Sequence, residues 1–200
     1  MICALVASKG GVGKTVSAMF LAEAINRKGR TVTVWDTDPQ GSAISWADIS
    51  EENGTPLAFP VEGIHPKRIT AATADAFDGH IVIDTPPGDI AIMRRVVDLA
   101  DLVVVVTGTG RDEIERAVAV MSDLEDKASV ILLNRYDKRH MDAVEVARSL
   151  KLSDLPVFAT PIPARVAIAR AYGAEFPSDL YGFDRILGEI DMIMAAIEEV

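Results

Sequence analysis

Residues 2–15 read ICALVASKGGVGKT. A short apolar run, Ile2–Ala7, leads into three glycines, two lysines and a threonine, and a helical stretch is expected over Thr15–Lys28. A strand, a glycine loop and a helix in that order form an anion site. Gly10, Gly11 and Gly13 allow backbone conformations and close approaches that a side chain would block. Their N–H groups can then converge on phosphate oxygens, and the following helix N-terminus adds its dipole. Lys14 would reach the β- and γ-phosphates, and the Thr15 hydroxyl would bind Mg²⁺. Val12 and Val16 complete the segment predicted to wrap the nucleotide. The common GxxxxGK[ST] spacing would place glycine at position 8, where this chain has Ser8.

Working outward, further apolar runs recur at Thr31–Trp35, Ile81–Ile83, Leu102–Val106, Val130–Leu133 and Val157–Ala159, with a weaker candidate at Leu57–Val61. They are β-branched and unbroken, as in strands covered on both faces, which implies a parallel sheet between helices. Helices are expected over Pro66–Phe77, Asp89–Leu99, Asp112–Leu124, Met141–Leu150, Ala164–Tyr172 and Phe183–Glu198. The alternation predicts a doubly wound, mostly parallel α/β domain, and the phosphate loop after its first strand makes the P-loop type the expected one. One domain is expected over residues 1–200, with no separate domain ahead of the first strand.

Composition narrows the classes of function. The net charge of −10 argues against a surface that attracts nucleic acid or anionic lipid everywhere, though not against a local basic patch. Cys3 is the only cysteine, so neither an internal disulfide nor a cysteine-built metal cluster is available. No run reaches the ~18 apolar residues of a membrane helix, and no leader pattern is visible. A cytoplasmic protein is expected.

Acidic residues fall where the chemistry would need them. Asp36 and Asp38 follow the second run and Asp84 the Ile81–Ile83 run. Ligands of such sheets gather at strand carboxyl ends. Acids beside phosphates need a balancing cation, and Mg²⁺ suits them; it keeps several waters, so Asp36 and Asp84 are expected to act through bound water. Asn134 ends another apolar run, and its amide matches the donor–acceptor edge of adenine; a turn cap is the alternative. Pro161, Ile162 and Pro163 either form a rigid wall beside the base or a plain loop.

KGGVGKT, with Lys9 heading the loop, resembles the deviant Walker A motif of the ParA/MinD ATPases. VTVWDTDPQGSAISW (32–46), HIVIDTPPG (80–88), ILLNRYD (131–137) and TPIPARVAIARAYG (160–173) resemble further segments of that family, in order and over nearly the whole chain. The short length is similar to that of the small ParA partition ATPases. Val16 departs from the frequent Gly-Lys-Thr-Thr form. The resemblance implies Mg²⁺-dependent hydrolysis of ATP to ADP and phosphate. It implies that Lys9 crosses to the partner's nucleotide in an ATP-bound homodimer, that Asp38 handles the attacking water, and that Asn134 selects adenine. It also implies non-specific DNA binding, a small centromere-binding protein as partner, and a role in plasmid or chromosome partition, with nucleoid association. Arg165 and Arg170 are candidate DNA contacts, with Arg94, Arg95 and Arg139 as additions.

The alternatives are a MinD-like or other cargo-positioning switch of the same family, a reductase or metal carrier, and a metabolic ligase. A membrane switch needs a basic amphipathic tail, whereas Asp184, Glu189, Asp191, Glu198 and Glu199 make this one acidic. No membrane partner is expected. The reductases and carriers use paired cysteines, and residues 45–65 carry no substrate signature.

Overall fold

The computed structural model describes residues 1–124 and 127–199. Six strands form one sheet: β1 (Ile2–Val6), β2 (Val32–Asp36), β3 (Val61–Gly63), β4 (His80–Asp84), β5 (Leu102–Thr107) and β6 (Ser129–Leu133). Their order is β3-β2-β4-β1-β5-β6, and every pairing is parallel. All six residues of β5, LVVVVT, are buried, as expected of a strand covered on both faces. The chain leaves the sheet in opposite directions from either side of β1, so the crevice at the carboxyl end of β1 is where a ligand of this architecture sits.

The helices are α1 (Lys14–Arg27), α2 (Ser42–Glu52), α3 (Ala71–Ala74), α4 (Ile90–Leu99), α5 (Arg111–Ser122), α6 (Met141–Lys151), α7 (Val166–Arg170) and α8 (Phe183–Glu198). One core cluster joins α1, α2 and α8 to one face of the sheet; the other joins α4, α5 and α6 to the opposite face. Residues Ser17–Ile25 of α1 are all buried, because α1 lies between the sheet and α8. A helix enclosed in this way has no polar face to show. Beside it Phe20, Trp46, Phe176 and Phe183 pack ring to ring, with centroids 5.1 Å apart for Phe20–Phe183 and 5.8 Å for Trp46–Phe176.

One element is unexpected, and three expectations are corrected. Helix α2 has no counterpart among the expected elements. The stretch 66–77 is not one helix but a 3₁₀ turn, Pro66–Arg68, and the single turn α3, restarted by Thr70, whose side chain accepts from the N–H of Thr73. The strand expected over 57–61 begins only at Val61, since Phe59 turns into the core. The run Val157–Ala159 makes just one bridge, Val157 to Ile131. The N–H groups of Ala159 and Thr160 donate instead to the Glu189 carboxylate of α8, at 2.6 and 3.1 Å.

Candidate nucleotide site

The loop between β1 and α1 stands at the crevice. Gly11 and Gly13 have φ of +80° and +96°, values that disfavour any side chain. At Gly13 a Cβ would also collide with the Asn134 amide. Val12 is buried, and its carbonyl accepts a hydrogen bond from Asn134 Nδ2 at 2.9 Å. The loop is therefore anchored from the end of β6. Lys14 is 6% exposed and faces the charges of Asp84 and Asp38; burial pulls its pKa down while those two acids oppose the fall. Thr15, the second residue of α1, turns its hydroxyl to Asp84.

The two strand-end aspartates differ. Asp36 and Asp84 are paired in register on β2 and β4. Asp36 Oδ1 accepts from the N–H of Asp38 at 3.0 Å, and Oδ2 accepts from those of Ala43 at 2.8 Å and Ile44 at 3.2 Å. Its carboxylate thus caps α2 from outside the helix, which commits it to the fold. Asp84 is 1% exposed, and neither of its oxygens has a hydrogen-bond partner among the described residues. A carboxylate buried in this way is costly; the nearby Lys14 ammonium offsets part of that cost, and a bound divalent cation would offset more. Of the expected metal ligands, Thr15 and Asp84 fit Mg²⁺ in this structure better than Asp36. Asp38 is half-buried; one oxygen accepts from the N–H of Gln40 at 2.9 Å.

Asp84 carries a pH signature. Burial, reinforced by the charges of Asp36 and Asp38, pushes its pKa up to about 7, against the opposing Thr15 hydroxyl and Lys14 ammonium. A raised carboxyl pKa gives stability that is present in full below the ordinary carboxylate range and is lost as pH rises through 7. Without divalent metal, Asp84→Asn should therefore melt higher than the parent at pH 8, by an amount on the order of a few kcal/mol, and equally at pH 3. Thermal melts in chelator across this range check it. A variant no more stable at pH 8 would show that Asp84 is not held against its charge.

Beside the loop lies an open groove of about 480 Å³, lined in part by Gly13, Val16, Asn134, Pro163, Arg165 and Ile168. Its walls join the phosphate loop to the residues after β6 and around α7. The amide of Asn134 serves the loop, and its Oδ1 accepts from the N–H of Arg135 at 2.8 Å, so here it acts as a clamp. Pro163 lines the groove; Ile162 does not, being fully buried in the core, and Pro161 is half-buried outside the lining.

The sequence reading missed two acids on the first turn of α5. Asp112 pairs with Lys9 at 3.3 Å. Glu113 accepts from Arg135 at 2.8 Å and from the N–H of Gly110 at 3.1 Å. A spacing of 103 residues between Lys9 and Asp112 leaves no local signal. Arg135 itself has φ of +54°. Among the candidate DNA contacts, Arg165 precedes α7 and Arg170 ends it, both exposed; Arg94 and Arg95 are exposed on α4. Arg139 is held by Asp137 at 2.6 Å.

A glycine loop on the central strand, a buried lysine and an unpartnered aspartate opposite it define a P-loop nucleotide-binding domain. Residues 3–176 match the CobQ/CobB/MinD/ParA nucleotide binding domain, and the chain belongs to that family. It is 35% identical to maintenance of carboxysome distribution protein A of Gloeobacter kilaueensis, over 85% of this chain and 80% of that one. It is 29% identical to the chromosome-partitioning ATPase Soj of Thermus thermophilus, over 84% and 83%. The fold is also that of the septum site-determining protein MinD of Pyrococcus horikoshii, solved with Mg-ADP, with a TM-score of 0.74, 19% identity and 95% of each chain covered. The family thus includes partition and positioning ATPases. Among the described residues no helix is long and apolar enough to cross a membrane.

Proposed function

We propose that this chain is a Mg²⁺-dependent ATPase of ParA type that dimerises with ATP, binds DNA without sequence preference as the dimer, and segregates a plasmid or chromosome when a small centromere-binding protein stimulates hydrolysis. One observation supports the reading: the two lysines of the loop differ sharply in burial. Lys14 is buried within reach of the charge of Asp84, where it would meet its own subunit's phosphates. The Lys9 side chain is 46% exposed at the rim, and its partner Asp112 is more exposed still. An exposed ion pair is cheap to break, so Lys9 is available to neutralise charge on the nucleotide of a second subunit, as an arginine finger does.

Asp38, half-buried beside Lys14, is the candidate for orienting the attacking water. Thr15 and Asp84 would hold Mg²⁺, which when bound spreads the charge of the triphosphate. The groove lined by Val16, Pro163 and Ile168 would take the adenine. A second reading, a positioning switch whose cargo is not DNA, is favoured by the 35% identity to a carboxysome distribution protein. Both readings share the ATP cycle. The membrane variant is disfavoured, because Phe183, Ile186, Leu187 and Ile190 of the last helix are buried against the domain.

The test is DNA affinity with ATP and Mg²⁺ at two salt concentrations, for the parent and the Arg165→Ala/Arg170→Ala variant. A patch this small needs doubling by a dimer, so measurable binding is expected only with ATP. It should fall steeply with salt, through counterion release, and vary little with DNA sequence. The double variant should bind more weakly with a shallower salt slope. No binding by an ATP dimer at low salt would overturn the DNA reading. Equal binding by the variant would move the patch elsewhere, with Arg94 and Arg95 next in line.

A further inference from the structure

In this sheet the helices run back against the strands, so the far pole collects strand beginnings and helix ends. There, opposite the phosphate loop, is an apolar groove of about 870 Å³. Its walls are Met121 and Leu124 at the end of α5, Leu155 and Pro156 ahead of the Val157 bridge, and Ile193 and Ile197 of α8. The apolar stripe of α8 explains the overhang. Phe183, Ile186, Leu187 and Ile190 are buried, Ile193 is half-buried, and Ile197, one turn on, is 43% exposed. The stripe outlasts the surface it packs on.

Acids stand next in sequence to the lining residues. Asp123, Asp154, Glu198 and Glu199, chain neighbours of the lining residues, are all exposed. Two of the bordering helices, α5 and α8, have no basic residue in their last turn. A helix C-terminus carries about half a negative charge, which lysine or arginine commonly offsets. Here acids reinforce it. The lining cation, Lys127, donates its ammonium to the carbonyls of Asp98 and Ala100, at 3.0 and 3.2 Å. The groove therefore joins apolar surface to a local surplus of exposed acids over the one lining cation among the described residues.

We propose that this groove docks a basic amphipathic helix of a partner protein, with aliphatic or aromatic side chains at helical spacing in the groove and Lys or Arg over the acidic rim. Charge decides the occupant. An anionic lipid surface is repelled by the rim, and a second copy of this chain in a two-fold contact would set acid against acid. The proposal does not rest on the nucleotide reading, because the groove lies at the opposite pole; the helix should bind with or without ATP.

The probe is a labelled synthetic peptide helix with leucines at positions i, i+3, i+4 and i+7 and lysine elsewhere, compared with the same leucine pattern on a glutamate background, by fluorescence anisotropy on the full chain. The lysine peptide should bind and the glutamate peptide should not, with affinity falling as salt rises. Leu155→Ser/Ile197→Ser should weaken binding by at least about tenfold. Asp154→Lys/Glu198→Lys, confined to exposed positions that do not challenge folding, should weaken the lysine peptide and admit the glutamate one. All variants should keep the parent's ATP turnover, which separates failure here from failure of the ATPase reading. Equal binding by the variants would overturn the proposal, since the peptide would then be held by net charge elsewhere. Cosedimentation with phosphatidylglycerol vesicles that Ile197→Ser abolishes would reassign the groove to a membrane. A nucleotide-independent dimer abolished by the same change would reassign it to a second copy.

Discussion

Lys14→Ala is expected to lower ATP turnover by about a hundredfold to a thousandfold or more, and to weaken nucleotide binding. The reason lies in what the substitution leaves behind. Asp84 and Asp38 both act on Lys14 through their charges, and Lys14 is 6% exposed. Without its ammonium, a triphosphate would enter a crevice where Asp84 and Asp38 have lost their buried cation. In a water-poor site such a charge counts far more than it would in solvent. The domain should still fold, since an alanine relieves the burial of a charge. Phosphate release at saturating ATP and Mg²⁺, with nucleotide affinity from a fluorescent analogue, checks both halves. Turnover within a few-fold of the parent would remove the P-loop lysine from the chemistry.

Lys9→Ala should separate binding from catalysis. ATP affinity of the monomer is expected to stay near that of the parent, because Lys9 pairs with Asp112 at the rim while Lys14 is the buried lysine. The melting temperature should not move, as the broken ion pair is exposed on both sides. The ATP-dependent dimer should be lost, and hydrolysis should fall by about 10³-fold or more, the scale of a missing charge supplied in trans. Light scattering with ATP reads the dimer and phosphate release reads the turnover. A normal ATP dimer in this variant would make Lys9 a solvated residue of the loop. Asp112→Ala offers the complementary outcome: it frees Lys9 without removing it, so dimerisation should persist.

The contrast between α1 and α2 explains what was legible. The start of α1 is written locally, since KGGVGKT carries both the turn and the chemistry within seven residues. Helix α2 begins with serine after a glycine in the left-handed region, and no side chain of its own caps it. The cap comes from Asp36, seven and eight residues before the N–H groups it accepts from. The same residue that looked like a metal ligand is therefore the start signal of an element the sequence did not reveal. Its pattern, an acid at a strand end, is shared with Asp84; only the surroundings distinguish a carboxylate that accepts from three backbone N–H groups from one that accepts from none.

By itself the sequence determined the parallel α/β class, the phosphate loop, the aspartates at the strand ends and the resemblance to the ParA/MinD ATPases. These features rest on contiguous residues, whose spacing alone dictates strand, turn and helix. The tertiary structure alone decided which acid is free for a cation, that Asn134 clamps the loop through Val12, that Lys9 rests on Asp112, and that Ile162 belongs to the core while Pro163 faces the groove. It alone decided that the last helix outruns its packing partner to leave an acidic, apolar groove. Each of these depends on groups brought together from distant parts of the chain, where burial and hydrogen bonding, rather than residue type, set what a side chain can do.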